Sequence, residues 1–77
     1  MENYIISLKN GDKHLLKTDY KKITIGNKMA ILFYVEQFSQ VSRYDIKSIT
    51  KATEEEVKGC SLVITVTKNM VKRFNKM

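Results

Sequence analysis

Proline and tryptophan are absent from this chain of 77 residues, and cysteine and histidine occur once each. The single cysteine, Cys60, excludes an internal disulfide bond and is typical of a protein from a reducing compartment. The longest apolar run, residues 29–35, is far shorter than the about 20 residues that a membrane-spanning helix needs. The segment Met1–Leu8 lacks the basic and apolar regions of a signal peptide. We therefore expect a cytoplasmic protein that does not contact a membrane.

The scarcity of reactive side chains also limits catalysis. His14 and Cys60 are alone in their residue types, so the sequence shows neither a zinc-ligand spacing nor a cysteine–histidine pair. No two glycines lie closer than 15 residues, which excludes a glycine-rich phosphate loop. The acidic run Glu54–Glu56 lacks histidine or aspartate partners for a metal and is expected at a solvated hairpin tip. We predict that the protein is not an enzyme and binds neither a metal nor a cofactor.

The charge balance is strongly positive. Fourteen lysines and arginines against eight acidic residues give a net charge of +6, and such a surface attracts phosphate groups and acidic proteins alike. Solubility, or the coding bias of an AT-rich genome, would explain the same composition. Lysines around Tyr20 place cations beside a ring that could stack on a base, and a second basic group lies near the end of the chain. The candidate nucleic-acid-binding residues are Lys13, Lys17, Tyr20, Lys21, Lys22, Lys68, Lys72, Arg73 and Lys76.

An Asn-Gly pair between two alternating segments predicts a β-hairpin near the start of the chain. A two-residue loop at Asn10 and Gly11 would put lysines on the apolar face of the hairpin. A three-residue loop that includes Lys9, with Gly11 in the left-handed conformation, keeps the apolar side chains together, and we therefore predict this second loop. The predicted register pairs Leu8 with Asp12, Ile6 with His14 and Tyr4 with Leu16.

The apolar run at residues 29–35 is the longest in the chain and has a β-branched and aromatic centre. Such side chains fit a pleated surface, so we predict a central strand that is covered on both faces. It either continues, bent, from Ile23 to Glu36 or turns back at Gly26 and Asn27. A helix from Lys28 to Gln40 is the competing interpretation, because a short apolar run does not by itself distinguish a buried helix from a buried strand.

The remainder is interpreted as short strands followed by one helix. Strands are predicted over residues 38–44, 48–53 and 60–67, with a single helical turn capped by Asp45. Because Met70, Phe74 and Met77 share a helix stripe, residues 68–77 form either a short docked helix or a basic arm that orders on a partner. The predicted fold is mainly β. It is one domain, residues 1–77, built as a small meander or partly open barrel of five to six strands with a short C-terminal helix or tail.

A resemblance extends over residues 3–53. The Asn-Gly hairpin from Tyr4 to Asp12, the long apolar strand and the one-turn helix in Tyr44–Ile49 follow one another as they do in SH3-like and Sm-like small β-barrels. In this order of elements the chain resembles such barrel proteins of Firmicute phages and prophages. The resemblance implies a small barrel that docks on a host protein, such as a component of a bacterial defence system, and modulates it.

Two functions therefore compete. The first is docking on a host protein through apolar side chains that a thin barrel leaves on its outer faces. The second is nucleic-acid binding through the lysine clusters and exposed tyrosines. We also expect a homodimer, because no proline protects the sheet edges. The candidate protein-binding residues are Ile5, Leu15, Leu32 and Tyr34.

Overall fold

The computed structural model describes residues 1–76 and contains an open mixed sheet of four strands with three helices. The strands are β1 (Glu2–Leu8), β2 (Lys13–Thr18), β3 (Ile46–Lys51) and β4 (Val63–Thr65), and the helices are α1 (Ile25–Ser39), α2 (Glu54–Lys58) and α3 (Lys68–Asn75). The strand order is β3-β1-β2-β4, with β1 antiparallel to both neighbours and β2 parallel to β4. Because the sheet is not closed, the predicted barrel of five to six strands is wrong.

The predicted N-terminal hairpin is confirmed, including its register. Tyr4 pairs with Leu16 and Ile6 with His14. Gly11 has a φ of +96°, the left-handed region that a residue with a Cβ rarely adopts. These pairings place the predicted apolar side chains of β1 and β2 on one face of the sheet.

The barrel prediction fails at residues 29–35, which belong to α1 rather than to a strand. The competing interpretation, a helix from Lys28 to Gln40, is close to the observed helix of 15 residues. The run is apolar on more than one side because α1 contacts the sheet on one side and α3 on another. The α1 side chains buried in the main core are Ala30, Ile31 and Val35, and the aromatic rings toward α3 include Phe33 and Tyr34.

Two connections carry the chain across the sheet in opposite directions. The first runs from β2 through α1 to β3, and the second from β3 through α2 to β4; both join parallel strands. Right-handed crossovers in opposite directions lie on opposite faces of a sheet. The face toward α1 and α3 carries the main core, which includes Tyr4, Ile6, Leu16 and Ile64. Alternation along the strands directs Ile5 and Leu15 to the other face, and α2 contacts β1.

Several shorter elements also differ from the predictions. The acidic run at residues 54–56 is not a hairpin tip but the start of α2, which Thr53 caps. Residues 38–44 form no strand; the chain leaves α1 there and enters a 3-10 turn, Arg43–Asp45. β3 begins before the predicted residue 48, and β4 covers only three residues of the predicted span 60–67.

The C-terminal basic segment is a docked helix rather than a free arm. Val71 is buried in the main core, and the rings of Phe74 and Phe33 lie 5.0 Å apart. Met77, which the sequence places on the same stripe, lies outside the described residues. No helix in the described part of the chain is long and apolar enough to cross a membrane.

Candidate anion-binding surface

Two lysine-rich segments that are far apart in the sequence meet at one edge of the sheet. Because β2 and β4 are parallel, with Lys17 opposite Thr65, the segments that follow them lie side by side. The Asp19 Oδ1 accepts a hydrogen bond of 2.8 Å from the backbone N–H of Lys68, the first residue of α3. This contact joins the loop after β2 to the basic C-terminal helix.

The loop between β2 and α1 is held in place by a buried side chain. Asn27 donates from Nδ2 to the Lys22 carbonyl (3.2 Å) and accepts the Thr24 N–H at Oδ1 (2.8 Å). Asn27 is about nine-tenths buried, whereas the side chains of Lys21 and Lys22 are exposed. The two lysines are therefore presented to solvent from a fixed backbone, which lowers the entropy lost when they meet a ligand.

Tyr20 is anchored rather than free. Its carbonyl accepts a hydrogen bond of 3.1 Å from the Tyr4 hydroxyl, and its N–H donates to Thr18 Oγ1. The Lys68 Nζ lies 5.5 Å from the centroid of the Tyr20 ring, within the range of a cation–π contact. One face of the half-buried ring is thus associated with a lysine, so Tyr20 is a poor platform for stacking on a base.

The cations of α3 point outward because its apolar side is used for packing. Two contacts join α1 to α3: the Tyr34 hydroxyl donates a hydrogen bond to the Met70 carbonyl (2.8 Å), and the rings of Phe33 and Phe74 pack together. The exposed basic residues of this segment are Lys68, Lys72, Arg73 and Lys76. Lys72 and Arg73 lie in the last turn of the helix, where positive charge is favourable toward the helix dipole.

We call residues 17–22 and 68–76 together the basic surface. These two segments contain seven of the fourteen lysines and arginines but only one of the eight acidic residues, Asp19. Their excess of cations therefore equals the net charge of +6, and the rest of the chain is balanced. Within residues 1–76, the ion pairs are Arg43–Glu36 and Lys51–Glu2, both outside the basic surface.

The sequence-predicted nucleic-acid set is only partly brought together. Lys13 lies at the beginning of β2, at the end away from the basic surface, and interacts electrostatically with Glu56. Lys17, the first residue of the basic surface, lies at the correct end of β2, but its side chain is on the opposite face of the sheet from Leu16 and therefore from α3, because side chains alternate along a strand. The Asp19–Lys68 hydrogen bond and the Lys68–Tyr20 contact join the loop that carries Lys21 and Lys22 to the start of the helix segment that carries Lys72, Arg73 and Lys76.

The sequence-predicted protein-binding set does not form one exposed patch. Ile5 and Leu15 are buried, with 0% and 2% of their surface exposed, so the expectation that they lie on an outer surface is wrong. Leu32 is partly exposed, and Tyr34 contacts α3 through its hydroxyl. Sequence analysis missed the apolar side chains that are exposed most. Apart from the first residue, Met1 (69%), they are Ile25 (96%), Tyr44 (78%), Met29 (57%), Val63 and Phe38.

The remaining groups with reactive side chains are His14 and Cys60. The Nδ1 of His14 is buried and has no hydrogen-bond partner in the described residues. The Cys60 thiol donates to the Glu56 carbonyl (3.2 Å), and burial, followed by the charge of Glu56, raises its pKa. A pocket of about 520 Å³ between the hairpin loop and the end of α1 contains one cation, Lys9, and one carboxylate, Asp45. No group of three metal-ligating side chains is found within residues 1–76.

Comparison with protein families, with curated proteins and with solved structures gives no match. The comparisons therefore do not bear on the resemblance to phage barrel proteins, which stays a prediction. The barrel that this resemblance implied is absent from the fold, so the candidate site is interpreted from its own geometry.

Proposed function

We propose that the protein is a non-enzymatic nucleic-acid-binding protein that holds the sugar-phosphate backbone on the basic surface. The observation that carries this proposal is the segregation of charge: residues 17–22 and 68–76, which meet at one edge of the sheet, have an excess of cations equal to the whole net charge of +6, and an excess of five remains when Lys17, on the other face of the sheet, is left out. Lysine and arginine that neutralise phosphates release condensed counterions, and this release supplies most of the affinity for a nucleic acid backbone.

The same geometry favours nucleic acid over a lipid surface. A helix that binds a membrane inserts an apolar face between the lipids. In α3 the apolar residues Val71 and Phe74 pack against the protein core and α1, and the exposed side is polar and basic. The helix therefore offers charge to a partner without an apolar face to insert.

Contacts to the sugar-phosphate backbone that are not accompanied by base stacking imply little preference for a particular nucleotide sequence. Two aromatic residues lie within the basic surface: Tyr20 is half-buried beneath Lys68, and Phe74 packs against Phe33. The most exposed tyrosine, Tyr44, lies in the 3-10 turn, outside both basic segments. We therefore expect similar affinities for oligonucleotides of different sequence.

Fluorescence anisotropy with a labelled duplex of mixed sequence tests this proposal over a range of salt concentrations. If about five phosphates are contacted, log K falls with log salt with a slope of about −4.5. A basic-surface variant carries Lys21→Gln, Lys22→Gln, Lys68→Gln and Lys72→Gln. Each lost contact makes the slope shallower by about 0.9, and affinity at low salt falls at least roughly tenfold.

A second quadruple variant controls for net charge. It carries Lys9→Gln, Lys13→Gln, Lys47→Gln and Lys58→Gln, which remove four exposed cations from outside the basic surface. The proposal predicts that this variant keeps a steep slope and most of the affinity. Equal losses in the two variants, or no binding of the wild type at low salt, would contradict it.

Docking on a host protein stays a prediction, as do the phage origin and the link to bacterial defence. Two of the four residues assigned to that role, Ile5 and Leu15, are buried.

A further inference from the structure

A second surface lies on the flank of α1 that faces away from α3. A groove of about 100 Å³ separates α1 from β3, with room for one aliphatic side chain. Its lining residues are Lys28, Leu32, Arg43, Ile46, Lys47, Ser48 and Ile49. Along α1, Ile25 and Met29 continue the stripe of Leu32 toward the start of the helix, and both are largely exposed. We call this region the α1–β3 groove.

β3 forms one border of this groove and is also an edge strand. It pairs with β1 on one side, and no strand within residues 1–76 pairs with its other side. The free side of an edge strand presents unpaired backbone N–H and C=O groups, which can accept another extended segment. The groove therefore combines main-chain hydrogen-bonding capacity with a recess for a side chain.

The charges around the recess define the kind of segment that fits. Lys28 and Lys47 are exposed and take part in no ion pair in the described part of the chain. Arg43 pairs with Glu36, and its Nη1 also lies 3.1 Å from the Met29 Sδ. Acidic side chains beside the recess would meet Lys28 and Lys47, whereas basic ones would be repelled.

We propose that the α1–β3 groove binds an extended acidic segment of another protein. The segment adds to the sheet as a fifth strand beside β3, places an aliphatic side chain over Leu32 and Ile49, and directs carboxylates toward Lys28 and Lys47. This surface is separate from the basic surface, so the inference does not depend on nucleic-acid binding.

A second copy of this chain fits the groove less well. Two β3 strands paired antiparallel about Ile49 would place Lys47 opposite Lys51 twice. Like charges directly opposite each other destabilise a strand pair. Each copy also carries a net charge of +6. Edge lysines of this kind protect sheets from pairing with themselves, and here they leave an acidic strand as the favoured partner.

A titration followed by nuclear magnetic resonance tests the proposal with the full chain. The probe, called the glutamate–valine peptide, is the acetylated and amidated sequence Glu-Thr-Val-Thr-Glu, in which valine and both glutamates lie on one face of an extended strand. The control peptide has lysine in place of glutamate. We expect saturable shift changes at residues 25–32 and 46–51, and slower hydrogen exchange for the β3 amides that do not bond to β1. The lysine peptide should cause neither change.

Two charge-reversed variants of equal net charge complete the test. Lys28→Glu with Lys47→Glu changes the groove, and Lys9→Glu with Lys58→Glu changes exposed lysines elsewhere. The groove variant should weaken peptide binding roughly tenfold, while the control variant should change it less than about twofold.

Several results would overturn the proposal. One is absence of saturable binding of the glutamate–valine peptide. Another is that shift changes are confined to residues 17–22 and 68–76, because the peptide would then be held by the basic surface alone. Equal weakening in both variants would show a response to net charge, and a dimer joined through β3 in the free protein would show that a second copy occupies the edge.

Discussion

Replacing Asn27 tests how the start of α1 fixes the loop that carries Lys21 and Lys22. Asn27 is about nine-tenths buried and connects the loop to the first turn of the helix. Asn27→Ala removes both of its hydrogen bonds. Asn27→Asp keeps an oxygen that can accept the Thr24 N–H but loses the donor to the Lys22 carbonyl.

The expected loss follows from these two contacts. Removing the acceptor at the helix start costs about 1 kcal/mol, as the loss of other caps does. Leaving the Lys22 carbonyl without its donor costs about 1 kcal/mol more. We therefore expect Asn27→Ala to lower the free energy of unfolding by about 2 kcal/mol, which corresponds to a fall in Tm of about 10 °C for a chain of this size.

Urea unfolding followed by circular dichroism measures this difference directly. Asn27→Asp should lie between the wild type and Asn27→Ala, because it retains one of the two contacts. If Asn27→Ala changed stability by less than about 0.5 kcal/mol, as an ordinary surface substitution does, the capped start of α1 and the fixed loop would both be refuted.

Three further substitutions test burial and charge elsewhere. Ile5→Ala should cost about 3 kcal/mol in urea unfolding because Ile5 is fully buried; a loss below about 0.5 kcal/mol would mean that its face of the sheet is open. His14→Leu should leave stability unchanged or raise it by about 1 kcal/mol, because it removes a buried Nδ1 without a partner; clear destabilisation would reveal a missing contact. Hydrogen bonds from the Thr53 backbone and then its side chain lower the pKa of Glu56, so the folded state binds this proton less readily than the unfolded chain. The resulting stability is present above the ordinary pKa of glutamate and is lost as the pH falls through the lower folded value. Glu56→Gln should therefore lose less free energy of unfolding than the wild type when the pH is lowered below the ordinary pKa of glutamate. An equal loss in the two proteins would contradict this. The same substitution removes a charge that raises the pKa of Cys60, so thiol alkylation should reach its midpoint at lower pH than in the wild type.

The N-terminal hairpin could be predicted from sequence because its determinants are local. The Asn-Gly pair restricts the loop, and the alternation of apolar residues around it distinguishes between two registers. The observed pairing of Ile6 with His14 follows from these two facts alone.

The prediction of a strand over residues 29–35, which belong to α1, is wrong because it depends on residue propensity. β-branched and aromatic residues favour strands. In residues 29–35, however, they lie on one helix that packs against two parts of the protein, the core beside the sheet and α3. Propensity is a weak preference that such packing overrides. A local signal for α2 was also available: Thr53 and Glu56 have the spacing of a capping box, which marks the start of a helix.

The candidate site could be predicted only in its parts. The lysines and Tyr20 are visible in the sequence, but their assembly depends on the parallel pairing of β2 with β4, which no local pattern encodes. The same holds for Ile5 and Leu15, which are adjacent across two strands. The sequence alone permits them on an outer face of the sheet. They are buried because the crossover through α2 lies on that face.

The joining of residues 17–22 and 68–76 into one binding surface is tested most directly by titrating the labelled protein with a mixed-sequence duplex while recording backbone amide shifts. We predict that amides of both segments shift together and fit a single dissociation constant, while those of residues 25–32 stay in place. Shifts in only one segment, or different dissociation constants for the two, would contradict a shared surface.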